Sequence, residues 1–73
     1  MERNIKLEEK IYNYIRENEQ YHIDNIVILR HFSRWYVSSL INDAITHLRV
    51  NGFIDKVNVG MYYYFKTIKP YEI

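Results

Sequence analysis

The hydrophobic rhythm of this chain changes once, at Asn51-Gly52, and that change limits the folds open to it. Upstream, apolar residues recur every three to four positions, which lays them along one face of an α-helix. Downstream lie two short runs rich in β-branched and aromatic residues, Phe53-Ile54-Asp55-Lys56-Val57 and Met61-Tyr62-Tyr63-Tyr64-Phe65-Lys66-Thr67-Ile68. Asn58-Val59-Gly60 separates them, the pattern of two strands joined by a turn. Glycine readily takes the left-handed conformation that follows a helix, so Gly52 marks where helix gives way to strand. The expectation is an α+β chain, helices first and a β-hairpin last.

Within the helical part, Leu7, Ile11, Tyr14 and Ile15 form one stripe, with Glu8, Glu9, Asn13, Arg16 and Glu17 on other faces. Asn4 is a candidate N-cap, and Asn18-Glu19-Gln20 ends this first helix. Tyr21-His22-Ile23 reads as a short extended piece and Asp24 as the cap of a second helix. Ile26, Val27, Ile28 and Leu29 would also suit a strand; Arg30, His31 and the i+4 placement of Phe32 favour helix. Ser33-Arg34-Trp35-Tyr36 is the turn before a third helix, whose inward stripe is Val37, Leu40, Ile41, Ala44, Ile45 and Leu48.

Seventy-three residues suffice for one domain. It is expected to span 1–73, with helices over about 5–18, 25–32 and 37–50 and the hairpin over about 53–68. A chain of this size buries only about 60% of its unfolded surface, so each large side chain matters. Trp35 and Tyr36 are therefore expected to anchor the turn into the core. Strand alternation should turn Tyr63 and Phe65 inward and Tyr62 and Tyr64 outward. Four successive apolar residues at 26–29 cannot all share one helical stripe. One or two should reach the surface and offer a contact for a second copy, and helix 1 is another candidate face for a homodimer.

Other functions lack the residues they need. With no cysteine, disulfides and thiolate metal sites are excluded, and an intracellular setting is favoured. The charged start has no signal-peptide character. The longest apolar run, four residues, is far short of the ~20 that cross a bilayer. A cytoplasmic protein without a membrane partner is expected. His22, His31 and His47 stand at no metal-ligand spacing. No nucleophile–base pair, glycine-rich phosphate loop or paired-carboxylate motif occurs, so no enzymatic activity, metal or small-molecule cofactor is expected. Glu8, Glu9, Glu17 and Glu19 read as solvated helix charges.

Helix, short strand, helix, turn, helix, hairpin is a recognisable order. Its most telling stretch is Ala44-Ile45-Thr46-His47-Leu48-Arg49-Val50-Asn51-Gly52-Phe53-Ile54, followed by the hairpin and Tyr63-Tyr64-Phe65. From about Lys6 to Thr67 the chain resembles the winged helix-turn-helix superfamily, as a minimal stand-alone member like small archaeal, viral or plasmid transcription regulators. That resemblance implies a three-helix winged helix-turn-helix with helix 3 as recognition helix and the hairpin as wing. It implies double-stranded DNA as partner, transcription regulation as role, and a nucleoid or, for a virus, a host-cytoplasm location. Two features depart from the pattern. The turn at 33–36 is long and aromatic, and no helix follows the wing, where many dimeric repressors of this superfamily dimerise.

The outward residues of helix 3 have chemistry that suits base edges. Asn pairs with adenine, Arg with guanine, and Ser or Thr with bases or phosphates. Ser38, Ser39, Asn42, Thr46 and Arg49 are thus the candidate readers, against the plainer possibility of a solvated helix face. Lys56 and Lys66 on the hairpin, and Arg34 with Arg30 at the edge of the helix-turn-helix, are candidate phosphate contacts. Asp43 on the same helix would repel phosphate. Net charge is only +1, but it is unevenly placed: four basic residues against five acidic over 1–20, and six against three over 21–69. Low net charge, Asp43 and surplus apolar residues suit the rival expectation, a winged-helix protein-interaction module within a larger assembly.

Overall fold

Two of the helices start where a side chain takes up a free backbone amide. Asn4 Oδ1 accepts from the Leu7 amide (3.0 Å) and opens α1, Ile5–Glu17. Asp24 Oδ1 accepts from the Val27 amide (2.9 Å) and opens α2, Asn25–Phe32, so the run at 26–29 is helical. The third helix, α3 (Ser38–Val50), has no side-chain cap; the extended backbone of Val37 leads into it. In this computed structural model, which describes residues 3–72, an antiparallel hairpin of β1 (Ile54–Val59) and β2 (Tyr62–Thr67) follows the three α-helices. Residues 1, 2 and 73 of the expected 1–73 domain lie outside the described residues. The order and pairing are those of a winged helix.

Two connections differ from expectation. Tyr21-His22-Ile23 is not extended throughout: a single 3-10 turn, Glu19–Tyr21, is followed by His22 in the left-handed region (φ 53). Histidine tolerates that region better than β-branched residues do, and here its ring stacks on Tyr64 at 4.1 Å. Ile23 then accepts the Phe65 amide (2.8 Å), which ties the start of α2 to the hairpin. The hairpin turn is Gly60-Met61, one step later than the expected Asn58-Val59-Gly60, because Asn58 and Val59 still pair with Tyr63 and Tyr62. Glycine with positive φ at the first central position of a two-residue turn matches the twist of the strands, and Gly60 (φ 60) is the residue that supplies it.

The core lies where the three helices meet the hairpin. Leu7, Ile11 and Ile15 of α1, Ile28 and Phe32 of α2, and Ile41, Ala44, Ile45 and Leu48 of α3 close over Phe53, Ile54 and Phe65. Of the apolar run in α2, Ile28 is buried and Ile26 is exposed. Phe65 is buried and Tyr62 exposed, as alternation requires, while Tyr63 and Tyr64 are half-buried.

Three side chains reverse their expected environments. Val37 sits before the first turn of α3 and is exposed, so it does not join the inward stripe. Trp35 is 64% exposed: the turn is closed by backbone bonds from Trp35 and Tyr36 to the Phe32 carbonyl, and Phe32 fills the core beneath it. Glu8 is fully buried, not solvated. Arg3 Nη2 and Nε donate to its two carboxylate oxygens at 2.6 and 3.0 Å, and Tyr71 Oη donates at 3.2 Å. The tail carrying Tyr71 returns over α1, where Tyr12 Oη donates to the Lys69 carbonyl (2.8 Å). Among the described residues, no helix is long and apolar enough to cross a membrane.

Candidate nucleic-acid interface

The buried residues of α3 fall on one side, so phase fixes what faces outward. At ~100° per residue, Ser38, Asn42, Thr46 and Arg49 share one flank of the exposed side, with Ile45 beside them entering the core. β1 lies next to that flank, and its own alternation directs Lys56 to the same face of the hairpin as buried Ile54 and Phe65. A groove forms between helix and hairpin, lined by Asn25, Asn42, Thr46, Arg49, Lys56 and Tyr63 above Ile45 and Phe65. It carries the guanidinium of Arg49 and the ammonium of Lys56 and no carboxylate. Lys56 Nζ lies 4.2 Å from the centre of the Tyr63 ring, which holds the cation over the groove. Thr46 donates its hydroxyl proton to the Asn42 carbonyl (2.9 Å), leaving its oxygen free to accept.

Four of the eight candidates therefore meet in one place: Asn42, Thr46, Arg49 and Lys56. Ser38 is exposed at the start of the same flank. Ser39 is exposed in the first turn of α3, ~10.5 Å along the axis from Thr46, and does not line the groove. Arg34 is exposed in the turn beyond the N-terminus of α3, beside a shallow depression it shares with Trp35, Val37 and Ser38. Lys66 lies on the opposite face of the hairpin from Lys56, because it pairs across the strands with Asp55 while Lys56 pairs with Phe65. It borders Glu19, His22 and Tyr64. There Glu19 Oε1 accepts from the backbone amide and the hydroxyl of Thr67, which hold the carboxyl below the usual range, with Lys66 and Arg16 adding to the effect.

Asp43 weighs less against this face than its sequence position suggests. It follows Asn42 by ~100° of helix, is half-buried and does not line the groove; its Oδ2 is shielded from solvent without a hydrogen-bond partner. Asn25 and Tyr63 join the groove without having been singled out from sequence. Asn25 follows the capping Asp24 and is the first residue of α2. The tip of the hairpin is neutral: Val59, Met61 and Tyr62 are exposed, Met61 at 98%. Among the described residues no group of three or more His, Asp or Glu side chains is placed to hold a metal ion. No protein-family model, curated protein or solved structure matches the chain.

Proposed function

We propose that this chain is a sequence-specific double-stranded DNA-binding protein, a cytoplasmic transcription regulator acting as a homodimer on a two-fold site. The observation that carries the reading is the groove where Asn42, Thr46 and Arg49 of α3 meet Lys56 of β1 with no carboxylate among them. A helix of 13 residues is ~20 Å long and fits a major groove about 12 Å wide. Asn42 and Arg49 present the donors and acceptors that adenine and guanine edges match, and Lys56 grips the adjoining phosphates. Arg34, in the turn before α3, adds a phosphate contact beyond the helix N-terminus, whereas Lys66, on the opposite face of the hairpin beside Glu19, stands apart from this contact. Catalysis has no part in this role.

Titration of labelled duplex across a salt series tests it. If Arg34, Arg49 and Lys56 each neutralise one phosphate, log K falls with log salt at a slope of roughly −2.7 per protomer. Arg49→Ala and Asn42→Ala lower the preference for the selected sequence over random duplex by about 1–3 kcal/mol per lost base contact. Lys56→Ala weakens all duplexes alike. No binding to any duplex at low salt would end the proposal. The exposed neutral tip at Val59, Met61 and Tyr62 favours a second reading, a protein-interaction module docked through the wing. In that case Arg49→Ala changes nothing while Met61→Ser with Tyr62→Ser abolishes the partner contact.

A further inference from the structure

A second groove, of about 560 Å³, runs between α1 and the α2–α3 turn, well apart from the one just described. Tyr14, His31, Trp35 and Tyr36 wall it, and Lys10 and Glu17 lie along its α1 side. Tyr14 and His31 stack at 4.2 Å, and Trp35 stands edge-on to His31 at 6.0 Å. Trp35 also borders the shallow depression on its far side, so it forms a ridge beside the groove. A chain this short of core has left its one tryptophan 64% exposed. Tryptophan is the side chain that most often anchors a protein–protein contact when it finds a pocket.

The charges say which pocket. Lys10 and Glu17 are two helical turns apart on one side of α1, separated by ~10.5 Å along its axis. Among the described residues neither forms an ion pair; Lys10 Nζ reaches only the Tyr36 hydroxyl, at 3.4 Å. Opposite charges at the two ends of one stripe make the stripe its own complement when it is turned end over end. An antiparallel α1 from a second copy sets Lys10 against the second Glu17 and Glu17 against the second Lys10. The same register sets Asn13 against Tyr14, so no like charges on this stripe meet. A two-fold axis there is isologous, each contact occurring twice, and it allows the Trp35 ridge of each copy to enter the aromatic groove of the other.

We infer that this groove is a homodimer interface, occupied by a second copy of the chain through antiparallel α1 helices, the Lys10–Glu17 pairs and reciprocal insertion of Trp35. This rests on the homodimer half of the proposed function and supplies its surface. The two grooves share no lining residue, so dimerisation leaves the α3–hairpin groove open.

The experiment is sedimentation equilibrium of the full chain without DNA, with tryptophan emission followed over the same concentrations. The wild type dimerises, and Trp35 emission shifts to the blue as it does. Trp35→Ala raises the dissociation constant at least tenfold. Lys10→Glu and Glu17→Lys, each of which places like charges together twice, also raise it at least tenfold. The double variant K10E/E17K restores dimerisation, and an equimolar mixture of the two single variants forms a heterodimer. These positions are exposed, and circular dichroism of each variant checks that its helices are intact. A wild type that stays monomeric to millimolar concentration overturns the inference. So does a dimer indifferent to all three single changes, or single variants that fail to pair on mixing. With DNA left out, failure here is separate from failure to bind duplex.

Discussion

At the scale of single residues, the sequence misleads most where a charged side chain has a long-range partner. Glu8 stands three, four and seven positions before the buried Ile11, Tyr12 and Ile15, so helical phase puts it on the core face of α1, and only its charge argues for the surface. Its partners, Arg3 and Tyr71, are separated from it by five and 63 positions. The cost of this arrangement is lopsided. Arg3 is partly exposed and can turn to water, whereas the Glu8 carboxylate cannot. Arg3→Ala is therefore expected to destabilise, because it leaves a buried acceptor short of donors. Glu8→Gln, which keeps the shape and the Tyr71 contact, should cost less. The double change should recover part of the Arg3→Ala loss, because the charge that lacks a partner is gone. Urea unfolding of the three variants measures the order. An Arg3→Ala loss that Glu8→Gln does not relieve would show that Arg3 acts through packing alone.

At the scale of elements, sequence and structure agree because each element carries its own local signals. Asn4 and Asp24 mark the two capped helices, the stripe of Ile41, Ala44, Ile45 and Leu48 defines α3, and Gly52 and Gly60 punctuate the hairpin. Apart from Glu8, the departures lie between elements. The 3-10 turn at Glu19–Tyr21 and the exposure of Trp35 depend on how neighbours close, which hydrophobic period does not encode. The candidate site was legible in the same measure. Helix phase grouped Asn42, Thr46 and Arg49, but only strand register separates Lys56 from Lys66. Gly52 offers a clean test of element-level logic. Its φ is +75, and an added Cβ would meet nothing nearer than the end of Lys69 at 4.0 Å. The substitution therefore introduces conformational strain without a clash. Gly52→Ala should lower stability by about 1–2 kcal/mol. Gly52→Asn should lose less, since asparagine visits that region more readily. A thermal melt resolves this, because 1 kcal/mol moves Tm by roughly 4–8 °C in a domain of this size.

At the scale of the whole molecule, the two ends of the chain are fastened by groups that titrate in opposite pH ranges. Glu19, just past α1, accepts from the amide and hydroxyl of Thr67 at the end of β2, and its folded pKa lies below its unfolded value of 4.5. A depressed acid adds stability that is complete above the unfolded pKa and disappears as pH falls through the folded one. Tyr71, on the tail that crosses α1, is shifted the other way. Burial, followed by the nearby Glu8 carboxylate, raises it above 10.0, with Arg3 opposing. Its neutral form is the one the fold prefers, so its contribution is complete below pH 10 and disappears as pH rises through the folded value. Melting temperature is thus expected to fall on both sides of a plateau. Glu19→Gln should lower the plateau and flatten the fall below pH 4.5, because the replaced group no longer gains a proton on unfolding. Tyr71→Phe should flatten the fall above pH 10 and leave the acid side unchanged. Melts of the three proteins from pH 3 to 11 decide the matter, and an acid limb as steep in Glu19→Gln as in the wild type would mean that other carboxylates, not the Glu19–Thr67 clasp, govern acid unfolding.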